Sequence, residues 1–222
     1  MIKIAPSILA ADFAALGQEI AEIAHEADYL HVDVMDGVFV PNISIGIPVV
    51  QALRRTTDLT LDVHLMITKP IRFVQAFLDA GADILTFHLE ADDPAALRAA
   101  IQVVKNNGKR VGLSIRPKTA ASELVPYLPE LDSVLIMTVE PGFGAQAFLS
   151  EQLEKIRQAR ELTRQHNPNC NLAVDGGIDL TTAPQVIAAG ATVLVAGSTV
   201  FRESGSRARS KVIAALRNTQ HS

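Results

Sequence analysis

Short aliphatic runs alternate with longer amphipathic stretches along the whole chain. Residues 2–7, 29–34, 61–66, 84–88, 110–115, 133–137, 171–174 and 193–196 are rich in Val, Ile and Leu and bounded by Gly, Pro or polar residues, a pattern that predicts strands. Between them the spacing predicts helices: one capped by Asp12, then 48–56, 70–80, 94–107 stopped by Gly108, a shorter one over 120–128, then 149–165, 182–189 and 207–218. Eight strand–helix units in 222 residues match a closed α/β TIM barrel, (β/α)8, as a single catalytic domain over 1–222. Strands this apolar suit a sheet covered on both faces. Ala80-Gly81-Ala82 and Ala189-Gly190-Ala191 each put a glycine between a helix end and the next strand, a weak internal echo. An open doubly wound sheet would alternate in the same way, but its dinucleotide fingerprint after strand one is missing here, where Pro6-Ser7-Ile8-Leu9 stands.

One strand departs from the aliphatic rule. Leu30, Val32 and Val34 alternate with His31, Asp33 and Met35, so the polar set projects from one face. The third strand repeats the idea with His64 and Met66, while Ser7 and Asp175 stand at the ends of the first and seventh. Catalytic groups of a barrel gather at such strand ends. Taken as one site, His31, Asp33, His64 and Asp175 offer donors for one divalent metal cation per subunit, whether Zn, Fe, Mn or Co. The plainer reading makes each a hydrogen-bonded core or turn residue. It fits four together poorly, because unpaired buried carboxylates are costly. Asp33 and Asp175 could also remove a proton from one face of a carbon and return one to the other, with a cation stabilising the anion between.

Three glycine-rich turns follow the late strands: Gly142-Phe143-Gly144-Ala145, Gly176-Gly177 and Gly197-Ser198. Glycine lets backbone N–H groups close on an anion, and barrels often hold phosphate after strands seven and eight. Met35, Met66 and Met137 end strands two, three and six; they read as core filler or as an apolar floor for substrate. Asp36, Pro41 and Asn42 shape a loop that reads as a turn or a lid. His88 and Glu90 read as supporting or structural residues.

Charge and composition narrow the ligand. The net charge of −4 argues against nucleic acid, which wants a basic footprint. A small phosphorylated metabolite stays open because backbone amides can hold phosphate. No apolar run approaches the ~20 residues of a membrane span. The lone Cys170 and a start without a signal-peptide core point to the cytoplasm.

The motifs APSILAAD from Ala5, HVDVMDG from His31, VPN from Val40, DVHLM from Asp62, MTVEPGFG from Met137, VDGG from Val174 and VAGS from Val195 together resemble the ribulose-phosphate 3-epimerase family over essentially the whole chain. That resemblance implies a (β/α)8 barrel that interconverts D-ribulose 5-phosphate and D-xylulose 5-phosphate in the pentose phosphate pathway. It implies metal ligation by His31, Asp33, His64 and Asp175, with Asp33 as proton acceptor and Asp175 as donor across a cis-enediolate. Ser7 and His64 would touch the sugar, and the three glycine turns would hold its phosphate. Many relatives have glycine where this chain has Ala145, which puts that residue's share in doubt. Such barrels commonly form homo-oligomers. The same site would serve a D-allulose 6-phosphate epimerase, whereas a non-catalytic sugar-phosphate barrel has no use for opposed aspartates. A Schiff-base aldolase would need a lysine at a strand end, and none stands there. A triose-phosphate isomerase reading would use Glu140 and leave the four metal-type residues idle.

Overall fold

Eight strands form one parallel sheet: β1 (Lys3–Pro6), β2 (Tyr29–Met35), β3 (Thr60–Met66), β4 (Ile84–His88), β5 (Arg110–Ile115), β6 (Ser133–Met137), β7 (Asn171–Asp175) and β8 (Val193–Ala196). Each pairs with its sequence neighbour from β2 to β8, and β8 returns to pair with β1. The remaining seam, between β1 and β2, is bridged by Ser7 and His31. There the Asp28 N–H donates to the Ile4 carbonyl at 3.0 Å, and the Asp28 carboxylate accepts from the Ile4 N–H at 2.8 Å. The expected barrel is present in this computed structural model, which describes residues 1–219; the last three positions of the expected 1–222 domain lie outside the described residues.

The alternation in β2 explains the layering. Leu30, Val32 and Val34 face outward into the main apolar cluster, which surrounds the barrel. Ala5, Tyr29, Ile84, Leu135, Ala173, Val193 and Val195 form a separate cluster inside it. The interior is close-packed: a Cβ on Gly112 would lie 2.4 Å from Thr86 Oγ1. The paired glycines have a common cause. Gly81 (φ 108°) and Gly190 (φ 115°) turn the chain from helix to strand, and a Cβ would strike Arg54 or Arg160 at 2.5 or 2.6 Å.

The helices are α1 (Leu16–Ile23), α2 (Ile47–Thr56), α3 (Val74–Asp79), α4 (Pro94–Asn106), α5 (Gln152–His166), α6 (Ala183–Ala188), α7 (Ser198–Phe201) and α8 (Ser206–Asn218). Several expected boundaries move. Asp12 caps no helix; it folds onto the Ala14 N–H as a turn, and α1 begins four residues later at Leu16. The 70–80 helix is split at Phe73 (φ −122°) into a 3-10 turn, Pro70–Arg72, and α3. The 120–128 helix is two 3-10 turns, Ala121–Leu124 and Leu128–Glu130, because Pro126 and Pro129 lack the N–H groups a longer helix would use. Leu149 lies outside the helix and its N–H donates to the Thr138 carbonyl, so α5 starts later, at Gln152. The short α7 is an addition that the pattern did not announce.

Candidate active site

Strand register assembles the site. Between β2 and β3 it sets His31 beside Asp62, Asp33 beside His64 and Met35 beside Met66; between β6 and β7 it sets Met137 beside Asp175. His64 Nδ1 lies 3.2 Å from Asp33 Oδ1 and 4.0 Å from Asp175 Oδ2, and His31 Nε2 lies 3.3 Å from Asp33 Oδ1. One ligand atom from each of His31, Asp33, His64 and Asp175 falls within 4.8 Å of the others, so the four could hold a metal ion.

The donor chemistry suits a cation. His31 Nδ1 meets the Asp62 carboxylate at 2.8 Å. A carboxylate only accepts, so Nδ1 carries a proton, and in the neutral ring Nε2 is a bare lone pair. That Nε2 is buried with no hydrogen-bond partner, an orphan that a metal would satisfy. Asp62 is the residue that the sequence reading missed. Its signal was its place two residues before His64, on the same face.

The titration of the cluster is uneven. Burial alone would raise the pKa of Asp33, but His31 and His64 outweigh it and hold the carboxyl well below its ordinary range. Burial, then the charge of Asp33, pushes Asp175 up to about 6. Burial opposes a charged His31, yet Asp33 and Asp62 raise its pKa well above the usual imidazole value. Behind the cluster, burial pushes His88 down to about 4. Burial would raise Glu90, but its bonds to His88, Thr119 and the Arg116 N–H hold it at about 2.

A cavity opens over this cluster. Its walls include Ser7, Asp33, Met35, Met66, Met137, Asp175, Gly142, Phe143, Gly144, Ala145, Gly176, Gly177, Gly197 and Ser198. The strand-end residues and the glycine turns therefore share one space. Ser7 Oγ donates to Asp33 Oδ2 at 2.6 Å, so it orients that carboxylate as well as lining the wall. His31 and His64 lie beneath the floor; His64 is wholly buried and is not part of the cavity wall. Gly177 (φ 65°) shows why glycine is required: a Cβ would lie 2.6 Å from the Phe148 backbone nitrogen. The N–H groups of Gly177, Gly197 and Ser198 donate to no protein acceptor among the described residues. Across the mouth, Asn42 Nδ2 donates to the Gly142 carbonyl at 2.8 Å, joining the loops after β2 and β6.

Barrel, carboxylate pair and candidate metal centre together define a (β/α)8 isomerase. The model of the "Ribulose-phosphate 3 epimerase family" matches residues 3–201. A Bacillus subtilis protein named ribulose-phosphate 3-epimerase is 47% identical over 222 residues, covering 99% of this chain and 100% of the relative. The chloroplastic ribulose-5-phosphate-3-epimerase of Arabidopsis thaliana is 46% identical, covering 90% of this chain and 72% of its own length. The chain belongs to the ribulose-phosphate 3-epimerase family. A solved 3-hexulose-6-phosphate synthase from Salmonella typhimurium shares the fold with TM-score 0.73 at 16% identity, covering 99% of this chain and 100% of that one. No helix among the described residues is long and apolar enough to cross a membrane.

Proposed function

We propose that this chain interconverts D-ribulose 5-phosphate and D-xylulose 5-phosphate, as a step of the pentose phosphate pathway. The observation that carries the reading is geometric: Asp33 and Asp175 line one cavity, and their carboxylates lie with His31 and His64 within 4.8 Å of one another. Asp33 favours the ionised form and Asp175 holds a proton more readily, a division of labour suited to base and acid. Asp33 takes the C3 proton, leaving an enediolate, and Asp175 returns a proton to the opposite face; the reverse reaction exchanges their parts. A divalent cation held by His31, Asp33, His64 and Asp175 would supply positive charge beside the enediolate oxygens. Met35, Met66 and Met137, each 2–3% exposed, keep the floor apolar, and the unpaired amides of Gly177, Gly197 and Ser198 face the phosphate. Cys170 is buried, and burial first, then Asp132, raises its thiol to about 12; this inert thiol fits a cytoplasmic setting. The homo-oligomer is part of the same reading: Val38 and Ile43, 77% and 76% exposed, leave apolar surface beside the mouth. Sedimentation equilibrium tests it, and a monomer would remove it.

The deciding experiment is Asp175→Asn with bound metal verified, assayed in deuterium oxide on both pentulose phosphates and on D-allulose 6-phosphate. Epimer formation from ribulose 5-phosphate should fall by about 10²–10⁴-fold. Asp33 should still wash deuterium into C3 of ribulose 5-phosphate, while C3 of xylulose 5-phosphate should stay unlabelled. Undiminished epimerisation would refute the acid role, and faster wild-type turnover of the hexulose would move the substrate assignment.

A further inference from the structure

We propose that His88 and Glu90 are positioning residues that fix the tautomer of His64, keeping its Nδ1 free of a proton at the four-residue cluster. This rests on the metal-assisted reading above. His88 ends β4 and is wholly buried, its ring stacked on that of His64 with centroids 5.0 Å apart. The two Nε2 atoms are 2.9 Å apart. At that separation one nitrogen must donate and the other accept, since two protons would clash and two lone pairs would repel.

Glu90 decides which. His88 Nδ1 lies 3.2 Å from Glu90 Oε2, and a carboxylate can only accept, so Nδ1 carries the proton. Neutral His88 then presents a lone pair at Nε2, and His64 must donate to it from its own Nε2. Neutral His64 is left with a bare Nδ1 at hydrogen-bond distance, 3.2 Å, from Asp33 Oδ1 and 4.0 Å from Asp175 Oδ2; the carboxylates offer it no proton, so a cation, or in metal-free protein a second proton on the ring, must join them. Without this chain, His64 would be free to carry its proton on Nδ1 and donate it to Asp33, filling the position that a cation needs.

The polarity is anchored outside the site. Glu90 Oε1 accepts from the Arg116 N–H at 2.8 Å and from Thr119 Oγ1. The Arg116 guanidinium lies 4.0 Å from the Phe39 ring centroid and donates to the Phe39 carbonyl at 2.6 Å, while Phe39 packs on His88 at 4.8 Å. The loops after β2 and β5 thus hold the carboxylate that orients a ligand it never touches.

The test reads the tautomer directly. In metal-free protein with 15N-labelled histidine, long-range N–H correlation spectra should show His64 protonated at Nε2. Glu90→Ala should move the proton to Nδ1, wholly or in part, and weaken zinc affinity, measured by chelator competition, by about 10–100-fold. His88→Gln can accept from His64 through its amide oxygen without Glu90; in that background Glu90→Ala should lose its effect, which a general packing defect would not do. Wild-type His64 protonated at Nδ1 and not at Nε2 would overturn the proposal, as would unchanged tautomer and affinity in Glu90→Ala. Should Glu90→Ala not fold, the wild-type spectrum and the His88→Gln affinity decide. Because the spectrum needs neither metal nor substrate, failure of the epimerase reading would show separately, as absent turnover with the tautomer intact.

Discussion

Asp33 and Asp175 are the same side chain in one cluster, and their neighbours give them opposite habits. Asp33 sits between two imidazoles, so its ionised form is stabilised. Asp175 is the later carboxylate in an already negative space, so its proton is retained to about 6. In metal-free protein, Asp175 therefore contributes stability that is present below the ordinary carboxylate value of 3.8 and lost as pH rises through about 6. His31, with its pKa raised, contributes stability present below 6.5 and lost as pH rises through its folded value. Asp33 acts in the other direction, losing its contribution as pH falls below 3.8. The melting temperature of metal-free protein should thus fall as pH rises from 5 through neutrality. The gain on adding zinc should grow over the same interval, because the cation displaces both protons. Calorimetry showing a pH-independent gain would refute that charge assignment. Ala145 carries a smaller consequence: its φ of 56° is left-handed, so Ala145→Gly should raise stability by up to about 1 kcal/mol in urea unfolding. Much of this site was legible from residue type, because His31, Asp33 and His64 interrupt aliphatic strands. Asp62 was not, since a carboxylate early in a strand reads equally as a solvated end, and only register brings it to His31.

The strands carry the four metal-type residues, and the turns that follow them carry the glycines that line the cavity. Gly177→Ala would drive a Cβ into the Phe148 backbone at 2.6 Å, so the loop after β7 must shift. We expect roughly 1–3 kcal/mol of lost stability and a higher KM for the phosphorylated substrate with a smaller change in kcat. Unaltered KM would remove that loop from phosphate binding. The strands were readable from aliphatic runs because both their faces are buried, and seven of the eight helices follow the expected order. The region 120–128 was misjudged as helix because its apolar spacing was weighed above two prolines. The start of α1 was misjudged because an aspartate that caps and one that closes a turn make the same local bond. The short α7 was missed since four residues are too few for a periodicity.

At the scale of the molecule, the barrel closes where the first strand meets the second, and α8 reinforces that seam. Asp28 accepts from the Ile4 N–H and from Arg217 Nη2, both at 2.8 Å. Arg209, 4% exposed, meets Glu19 and Glu22, both on α1. Asp28→Ala should leave the Ile4 N–H unpaired and release Arg217, costing about 1–3 kcal/mol. That is a drop of roughly 2–4 °C in Tm for each kcal/mol at this size, and a Tm within one degree of wild type would show that the seam is held by the strands alone. The same stitching has a consequence for birth of the protein on the ribosome. Because the clasp on α1 is supplied by α8, a nascent chain still lacking that helix has an ungirded ring, and the seam gains its full support only once α8 has left the ribosome.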